Sequence, residues 1–117
     1  VREVQLAKGA IRAGIEVLMK EYGVAANQID SMYLAGGFAY YMNVKKAVGI
    51  GMLPKELEKK VQIVGNTSLS GAEFFAMEDG PESEIRKRFV HAVDIAEEIV
   101  LADNELFREL YIENMNF

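Results

Sequence analysis

Two glycine-containing turns hold the residues of this chain that are best suited to bind a ligand. Gly36 and Gly37 end one short apolar run, and Gly65-Asn66-Thr67 ends another. Glycine adopts positive φ without strain, and because it lacks a Cβ, a ligand can lie against its bare peptide. A strand that ends in such a turn before a helix therefore offers main-chain amides to the phosphate or ribose of a nucleotide. A tight turn without a ligand is the alternative interpretation of each motif.

Neither turn carries a complete phosphate-binding fingerprint. GxGxxG is absent after the first strand, no acidic residue ends a following strand about 20 residues further on, and no Gly-Lys-Ser/Thr follows the glycines. Asn66 and Thr67 could contact a ligand or cap the helix that follows them. Phe38 could stack on a base or pack against its own turn. The sequence leaves both interpretations open for each of these residues.

Few other side chains are placed for chemistry. Gln5 and Lys8 lie on the polar face of the predicted first helix, where they could form a wall of the nucleotide site or an ordinary solvated surface. His91 is the only histidine, and without cysteines or clustered carboxylates it does not make a metal site. The acidic residues are scattered, and no Gly-x-Ser-x-Gly turn occurs. We therefore predict no catalytic residue and no metal site.

The composition narrows the classes of partner. The net charge of −5 argues against a broad nucleic-acid or anionic-membrane surface, since phosphate binding needs clustered lysine and arginine. No apolar run approaches the roughly 20 residues of a membrane span, and no signal peptide opens the chain. With 117 residues and no cysteines, the chain fits one domain without disulfides or thiolate metal sites. Because Val1 leads directly into a predicted helix, we expect a fragment of a longer protein.

The glycine turns must be positioned by an alternation of helices and strands. An apolar stripe at i, i+3 and i+4 spacing predicts a first helix over residues 2–22 that ends at Gly23. Gly9 and Gly14 lower its helix propensity, which indicates close packing against another element. The predicted strands are 31–35, 61–64 and 97–101. The other predicted helices are 44–48 (capped by Asn43), 68–77, 82–93 and 104–114. The inward positions are Val4, Ala7, Ile11, Gly14, Ile15, Leu18 and Tyr22, then Ile85, Phe89, Ala92 and Val93, then Leu106, Phe107, Leu110 and Tyr111.

This alternation predicts an α/β fold with at least two parallel strands joined by right-handed crossovers. Ligands of such sheets bind beyond the carboxyl ends of the strands. If the first two strands are neighbours, Gly36-Gly37 and Gly65-Asn66-Thr67 line one crevice. The central prediction is that the two turns meet at one edge of the sheet.

Several segments, taken together in this order and at these separations, resemble a known family. The chain is similar to the C-terminal end of the reductive activators of corrinoid proteins, and the similarity covers nearly its whole length. No single motif is specific, but the set is. The segments are residues 2–14, Tyr33-Leu34-Ala35-Gly36-Gly37-Phe38, Gly51-Met52-Leu53-Pro54, Val64-Gly65-Asn66-Thr67-Ser68-Leu69-Ser70-Gly71-Ala72 and the closing residues 113–117.

The resemblance implies an activity. Members of that family carry an N-terminal 2Fe–2S domain and a C-terminal ATPase domain of the actin, Hsp70 and sugar-kinase (ASKHA) superfamily. They use ATP with Mg to drive electron transfer onto the inactive cob(II)alamin of a corrinoid methyl-carrier protein, which restores cob(I)alamin. By this analogy the protein is cytoplasmic, Gly36-Gly37 corresponds to the adenosine motif, and the helix with Gln5 and Lys8 lies near the nucleotide.

The chain lacks two parts of the full family pattern. Without cysteines it cannot hold an iron–sulfur cluster, and it has no Asp-x-Gly phosphate loop. The resemblance therefore implies that residues 1–117 form a single-domain fragment, the C-terminal part of the second lobe, which is not expected to hydrolyse ATP alone. The alternatives are a non-enzymatic interaction or dimerisation module, and a part of another ASKHA protein such as an acyl-CoA dehydratase activator or a kinase. A homodimer is compatible with either function.

Overall fold

The computed structural model describes residues 2–77 and 84–116. Helices flank a small parallel sheet, so the predicted α/β fold class is confirmed. Short 3₁₀ turns occupy Ala26–Gln28, Lys55–Leu57 and Leu101–Asp103. The helices and strands are α1 Arg2–Tyr22, β1 Met32–Ala35, α2 Gly37–Tyr40, α3 Val44–Gly49, β2 Val61–Gly65, α4 Thr67–Met77, α5 Glu84–Ile95 and α6 Glu105–Glu113.

The sheet consists of β1 and β2, which run parallel and are hydrogen-bonded neighbours. Met32 pairs with Val61, and Ala35 pairs with Gly65 after a register shift. The predicted third strand at 97–101 is wrong, because residues 96–100 have no regular structure and Leu101 begins a 3₁₀ turn. The Leu101 side chain instead packs against α1. A short apolar run suits either environment, and here the helix is its partner.

The helix α1 ends where the sequence predicts. Gly23 has φ +63°, and the next residue, Val24, donates its N–H to the carbonyl of Met19 at 3.0 Å. This is the Schellman arrangement that a glycine after a helix permits. The predicted close packing is also confirmed, because a Cβ on Gly9 would lie 2.8 Å from the Tyr111 carbonyl oxygen. At Gly14 a Cβ would lie 3.2 Å from a methyl group of Leu101.

The core lies between the middle of α1 and the segment that joins β1 to β2. Ile15 packs with Ala47, Met52 and Leu53, and Ala7 and Ile11 flank this cluster as predicted. The side chains at the two ends of the predicted stripe are exposed, because the core covers only the middle turns of α1. These side chains are Val4, Leu18 and Tyr22.

The helices after β2 differ more from the prediction. In α5, Phe89, Ala92 and Val93 are exposed, although the sequence predicts that they face inward. Their periodicity is that of an amphipathic helix, but among the described residues the apolar face is left largely uncovered. Residues 82 and 83, and the side chain of Ile85, lie outside the described part of the structure.

The terminal helix α6 packs along α1. The Asn104 side chain caps it by accepting from the N–H of Phe107 at 2.9 Å. The rings of Phe107 and Tyr111 lie 5.9 Å apart, a tilted pair that is favourable for aromatic side chains. Leu106 and Leu110 are half-buried beside them, so the predicted inward face of this helix is correct.

Candidate functional site

A main-chain hydrogen bond joins the two glycine turns. The N–H of Gly36 donates to the carbonyl oxygen of Gly65 at 2.8 Å. Both residues have positive φ, +105° at Gly36 and +74° at Gly65, which any side chain would oppose. Because β1 and β2 are parallel neighbours, both turns lie at the carboxyl edge of the sheet. The central prediction from the sequence is therefore confirmed.

The main chain at Gly36 and Gly37 faces open space. A Cβ added at either glycine would meet no described atom within 4 Å, and Gly37 is exposed. Gly65 is buried, and its carbonyl already serves the bond between the turns. A ligand at this edge would therefore contact the peptides of Gly36 and Gly37 rather than that of Gly65.

The helices behind the turns have unequal lengths. The helix α2 has 4 residues and is too short to add a substantial dipole behind Gly37. The helix α4 has 11 residues and starts at Thr67. The Asn66 side chain accepts from the N–H of Leu69 at 3.2 Å, so it caps α4. Phe38 lies in α2, and its side chain is outside the described part of the structure.

A cavity of about 460 Å³ opens beside the second turn. Thr67 lies two residues beyond Gly65, and so the cavity begins next to the bonded turns. Among the described residues, four lining residues come from the first two turns of α4, and Phe89 comes from α5. Ser68, Gly71 and Phe89 could not be found from the sequence, because nothing in the chain indicates that residues of the two helices line one cavity. The lining residues are Thr67, Ser68, Gly71, Ala72 and Phe89.

Lys8 is placed against the C-terminal segment. Its side chain is 5% exposed, and Nζ donates to the carbonyl oxygen of Asn114 at 2.7 Å and to that of Asn116. The interpretation of Lys8 as part of a solvated face is wrong, because the end of α6 covers it. Gln5, one turn earlier on α1, is half-buried. The structure thus brings Gly36, Gly37, Asn66 and Thr67 to one edge and engages Lys8 with the end of the chain.

The same face of α1 holds a polar network that the sequence did not reveal. Arg12 pairs with Glu16 at 3.2 Å and donates to the carbonyl of Gly51 at 3.4 Å. Glu16 accepts from the Asn114 side-chain amide at 2.9 Å. The i, i+4 spacing of Lys8, Arg12 and Glu16 indicates a shared face, but their partners lie far away in sequence.

At the opposite edge of the sheet, where the strands begin, a polar contact lies beside a hydrophobic cavity. Tyr22 donates its hydroxyl to Glu97 at 2.7 Å, and this hydrogen bond, with a smaller effect of desolvation, raises the pKa of Tyr22. A cavity of about 280 Å³ opens beside the amino end of β1, and the described side chains that line it are aliphatic or aromatic. Its lining residues are Ile15, Leu18, Met19, Tyr22, Val24, Ile29, Met32 and Leu57.

Within residues 2–77 and 84–116, no group of three or more His, Asp or Glu side chains is arranged to hold a metal ion. None of the described helices combines the length and the apolar character that crossing a membrane requires.

Residues 1–117 match the family described as the C-terminal domain of RACo, the ASKHA domain. The chain belongs to this family. It is 34% identical over 118 residues to the corrinoid activation enzyme RamQ of Eubacterium limosum, and the match covers 100% of the chain and 19% of RamQ. It is 29% identical over 122 residues to a Co(II) methylated amine-specific corrinoid protein reductase of Methanosarcina barkeri, covering 100% of the chain and 21% of the relative.

Both comparisons confirm the resemblance to the activators of corrinoid proteins that the sequence motifs indicated. The chain spans about a fifth of the length of these relatives. The ASKHA assignment also agrees with the parallel strands and flanking helices of the fold.

Proposed function

We propose that this chain binds the adenosine side of ATP in an ATP-dependent reductive activator of corrinoid proteins. The observation that carries the proposal is the hydrogen bond from Gly36 to Gly65, which holds the two glycine turns together at the ligand-binding edge of a parallel sheet. The open space above Gly36 and Gly37 would let a ribose or phosphate approach the main chain. The two relatives, a corrinoid activation enzyme and a reductase of a methylated amine-specific corrinoid protein, support the wider role.

The residues of this chain would have different roles at that site. The Gly36 and Gly37 peptides would contact the nucleotide, with Phe38 beside them. Asn66 would fix the start of α4, and Thr67 would present its hydroxyl to the ligand. Gln5 would belong to the same lobe; for Lys8, the bonds to Asn114 and Asn116 favour a structural role.

Other parts of the reaction would be supplied outside residues 1–117. The chain has no cysteine for a 2Fe–2S cluster and no Asp-x-Gly loop to position Mg and the phosphates of ATP. In this proposal the chain is the C-terminal part of the second lobe of a cytoplasmic ATPase domain. Nucleotide binding would close the two lobes, and the closed state would differ in its affinity for a corrinoid methyl-carrier protein. That difference would couple ATP to formation of cob(I)alamin.

The test is a Gly37→Val variant of the intact protein, measured by calorimetric titration with ATP. Gly37 has neither a positive φ nor a neighbour within 4 Å of an added Cβ, so the fold should survive while the branched side chain blocks the peptide. We expect ATP to bind about tenfold more weakly, as the loss of a main-chain hydrogen bond or two would cause. Gly36→Val should also weaken binding, with added strain from its φ of +105°.

Gly49→Val is the matched control, because Gly49 also has open space at Cβ and no positive φ but lies on α3. Its affinity for ATP should equal that of the wild type. An unchanged ATP affinity in Gly37→Val would refute the nucleotide site.

A second candidate function is an interaction or dimerisation module, which the exposed apolar face of α5 favours. Val93 is 57% exposed and Ile95 is 69% exposed, and an apolar face of this kind is typical of a protein-binding surface. In that case Val93→Asp would abolish self-association in sedimentation experiments and leave ATP binding unchanged.

A further inference from the structure

The cavity between α4 and α5 continues the glycine edge. Gly36 and Gly65 are bonded main chain to main chain, and Thr67, which lines the cavity, follows Gly65 by two residues. Consecutive Cα atoms are about 3.8 Å apart, so the cavity begins within roughly 8 Å of the bonded turns. A ligand lying over Gly36 and Gly37 therefore has this cavity within the reach of one nucleoside.

The cavity also has the size and lining of a site for a planar heterocycle. Its volume of about 460 Å³ lies in the range of small-molecule sites. Phe89 contributes an aromatic ring to the described lining, and Gly71 and Ala72 contribute small residues. Thr67 and Ser68 add hydroxyl groups, which can donate to ring nitrogens or accept from an exocyclic amine.

We infer that the base of the nucleotide occupies this cavity and stacks on Phe89, while its ribose and phosphates lie over Gly36 and Gly37. The inference rests on the proposed nucleotide site and adds to it the pocket that selects the base. Phe89 is 51% exposed, so the burial of its ring against a base would remove apolar surface from water. Gly71, which has no side chain, and the single methyl group of Ala72 leave the space that a purine needs.

Two variants of the intact protein test this pocket by opposite means. Gly71→Leu fills it, and because an added Cβ at Gly71 meets no described atom within 4 Å, the helix should tolerate the change. Phe89→Leu keeps an apolar side chain but removes the stacking surface. We expect each variant to bind ATP about tenfold more weakly, and to lose most of the preference of the wild type for ATP over UTP. A purine stacks over a larger area than a pyrimidine, and so the preference reports on the pocket.

The matched controls are Val90→Ala on α5 and Gly49→Leu on α3. Val90 is 52% exposed but does not line the cavity, and Gly49 has open space at Cβ. Both should bind ATP and UTP as the wild type does. Circular dichroism of each variant would verify that the helices are intact.

The outcomes separate this inference from the proposed function. If Gly37→Val weakens ATP binding but Gly71→Leu and Phe89→Leu leave both nucleotide affinities unchanged, the base lies elsewhere and the inference is wrong. If Gly37→Val has no effect, the proposed function itself is wrong. Loss of ATP affinity and of base preference in both pocket variants would support the inference.

Discussion

Lys8 donates from Nζ to the main-chain carbonyl of Asn114 at 2.7 Å, across 106 residues of sequence. The ammonium group also reaches the carbonyl of Asn116, and the lysine side chain is buried where α1 meets the end of α6. Carbonyl groups at a helix C-terminus have no partners within the helix, and a cation satisfies them well. Lys8 therefore fastens the C-terminal segment to α1.

Replacement of Lys8 by methionine should weaken the contact between α1 and the C-terminal segment. Methionine keeps much of the apolar stem but donates no hydrogen bond, so the free energy of unfolding should fall by about 1–3 kcal/mol. Urea denaturation would measure the loss. Lys20→Met, on an exposed position of the same helix, should change stability by less than about 0.5 kcal/mol.

The same variant distinguishes the two roles considered for Lys8. A structural lysine predicts lower stability with unchanged ATP affinity in the folded protein. If the fully folded Lys8→Met variant binds ATP more weakly than the wild type, Lys8 contributes to the nucleotide site and the structural role alone is refuted.

The contact between α1 and α6 depends on the missing side chain of Gly9. A Cβ there would lie 2.8 Å from the carbonyl oxygen of Tyr111 and 2.8 Å from a side-chain carbon of Met115. Although alanine favours helices by about 1 kcal/mol over glycine, the helices would have to separate, and we expect Gly9→Ala to destabilise by about 1–3 kcal/mol.

Gly71→Ala is the matched change for thermal denaturation. An added Cβ at Gly71 lies in open space within α4, so this variant should gain up to about 1 kcal/mol. Effects of opposite sign at the two glycines would verify the close approach of α1 and α6. A stabilising Gly9→Ala would contradict it.

The start of α6 depends on the Asn104 side chain, which accepts from the N–H of Phe107 at 2.9 Å. Removal of the acceptor in Asn104→Ala should cost about 1 kcal/mol of stability, measured by chemical denaturation. Asn104→Asp retains an oxygen acceptor and should remain near the wild type. Equal losses in both variants would show that capping is not the cause.

Tyr22 provides a prediction for alkaline pH. Its hydrogen bond to Glu97 raises its pKa above the ordinary tyrosine value of 10.0, because the bond holds the neutral phenol. The resulting stabilisation is present below the unfolded pKa and disappears as the pH rises through the folded pKa. Tyr22→Phe should therefore flatten the decline of stability above pH 10.

The change in Tyr22 ionisation can be followed directly by absorbance at alkaline pH. The difference titration between the wild type and Tyr22→Phe isolates this residue from the other tyrosines. Glu97→Gln should lower the midpoint of that titration by removing the carboxylate, whereas Glu98→Gln should leave it in place. A midpoint that is insensitive to Glu97 would disprove the interaction.

The sequence by itself determined the local features of this protein. It placed α1 at residues 2–22, its end at Gly23, the cap at Asn43 and the two glycine turns at the ends of β1 and β2. These features depend on neighbours within one turn of the chain: a glycine with positive φ, an oxygen acceptor before a helix, or a short apolar run.

The tertiary structure decided which faces are covered and by what. The periodicity of α1 marks a polar row. Only the position of α6 makes Lys8 a buried hydrogen-bond donor to the carbonyl of Asn114 rather than a solvated side chain. The apolar stripe of α5 predicts a face that packs inward, yet Phe89 on that face lines an open cavity. Periodicity defines a face of a helix from residues a few positions apart, whereas its partner comes from a distant part of the chain and depends on packing.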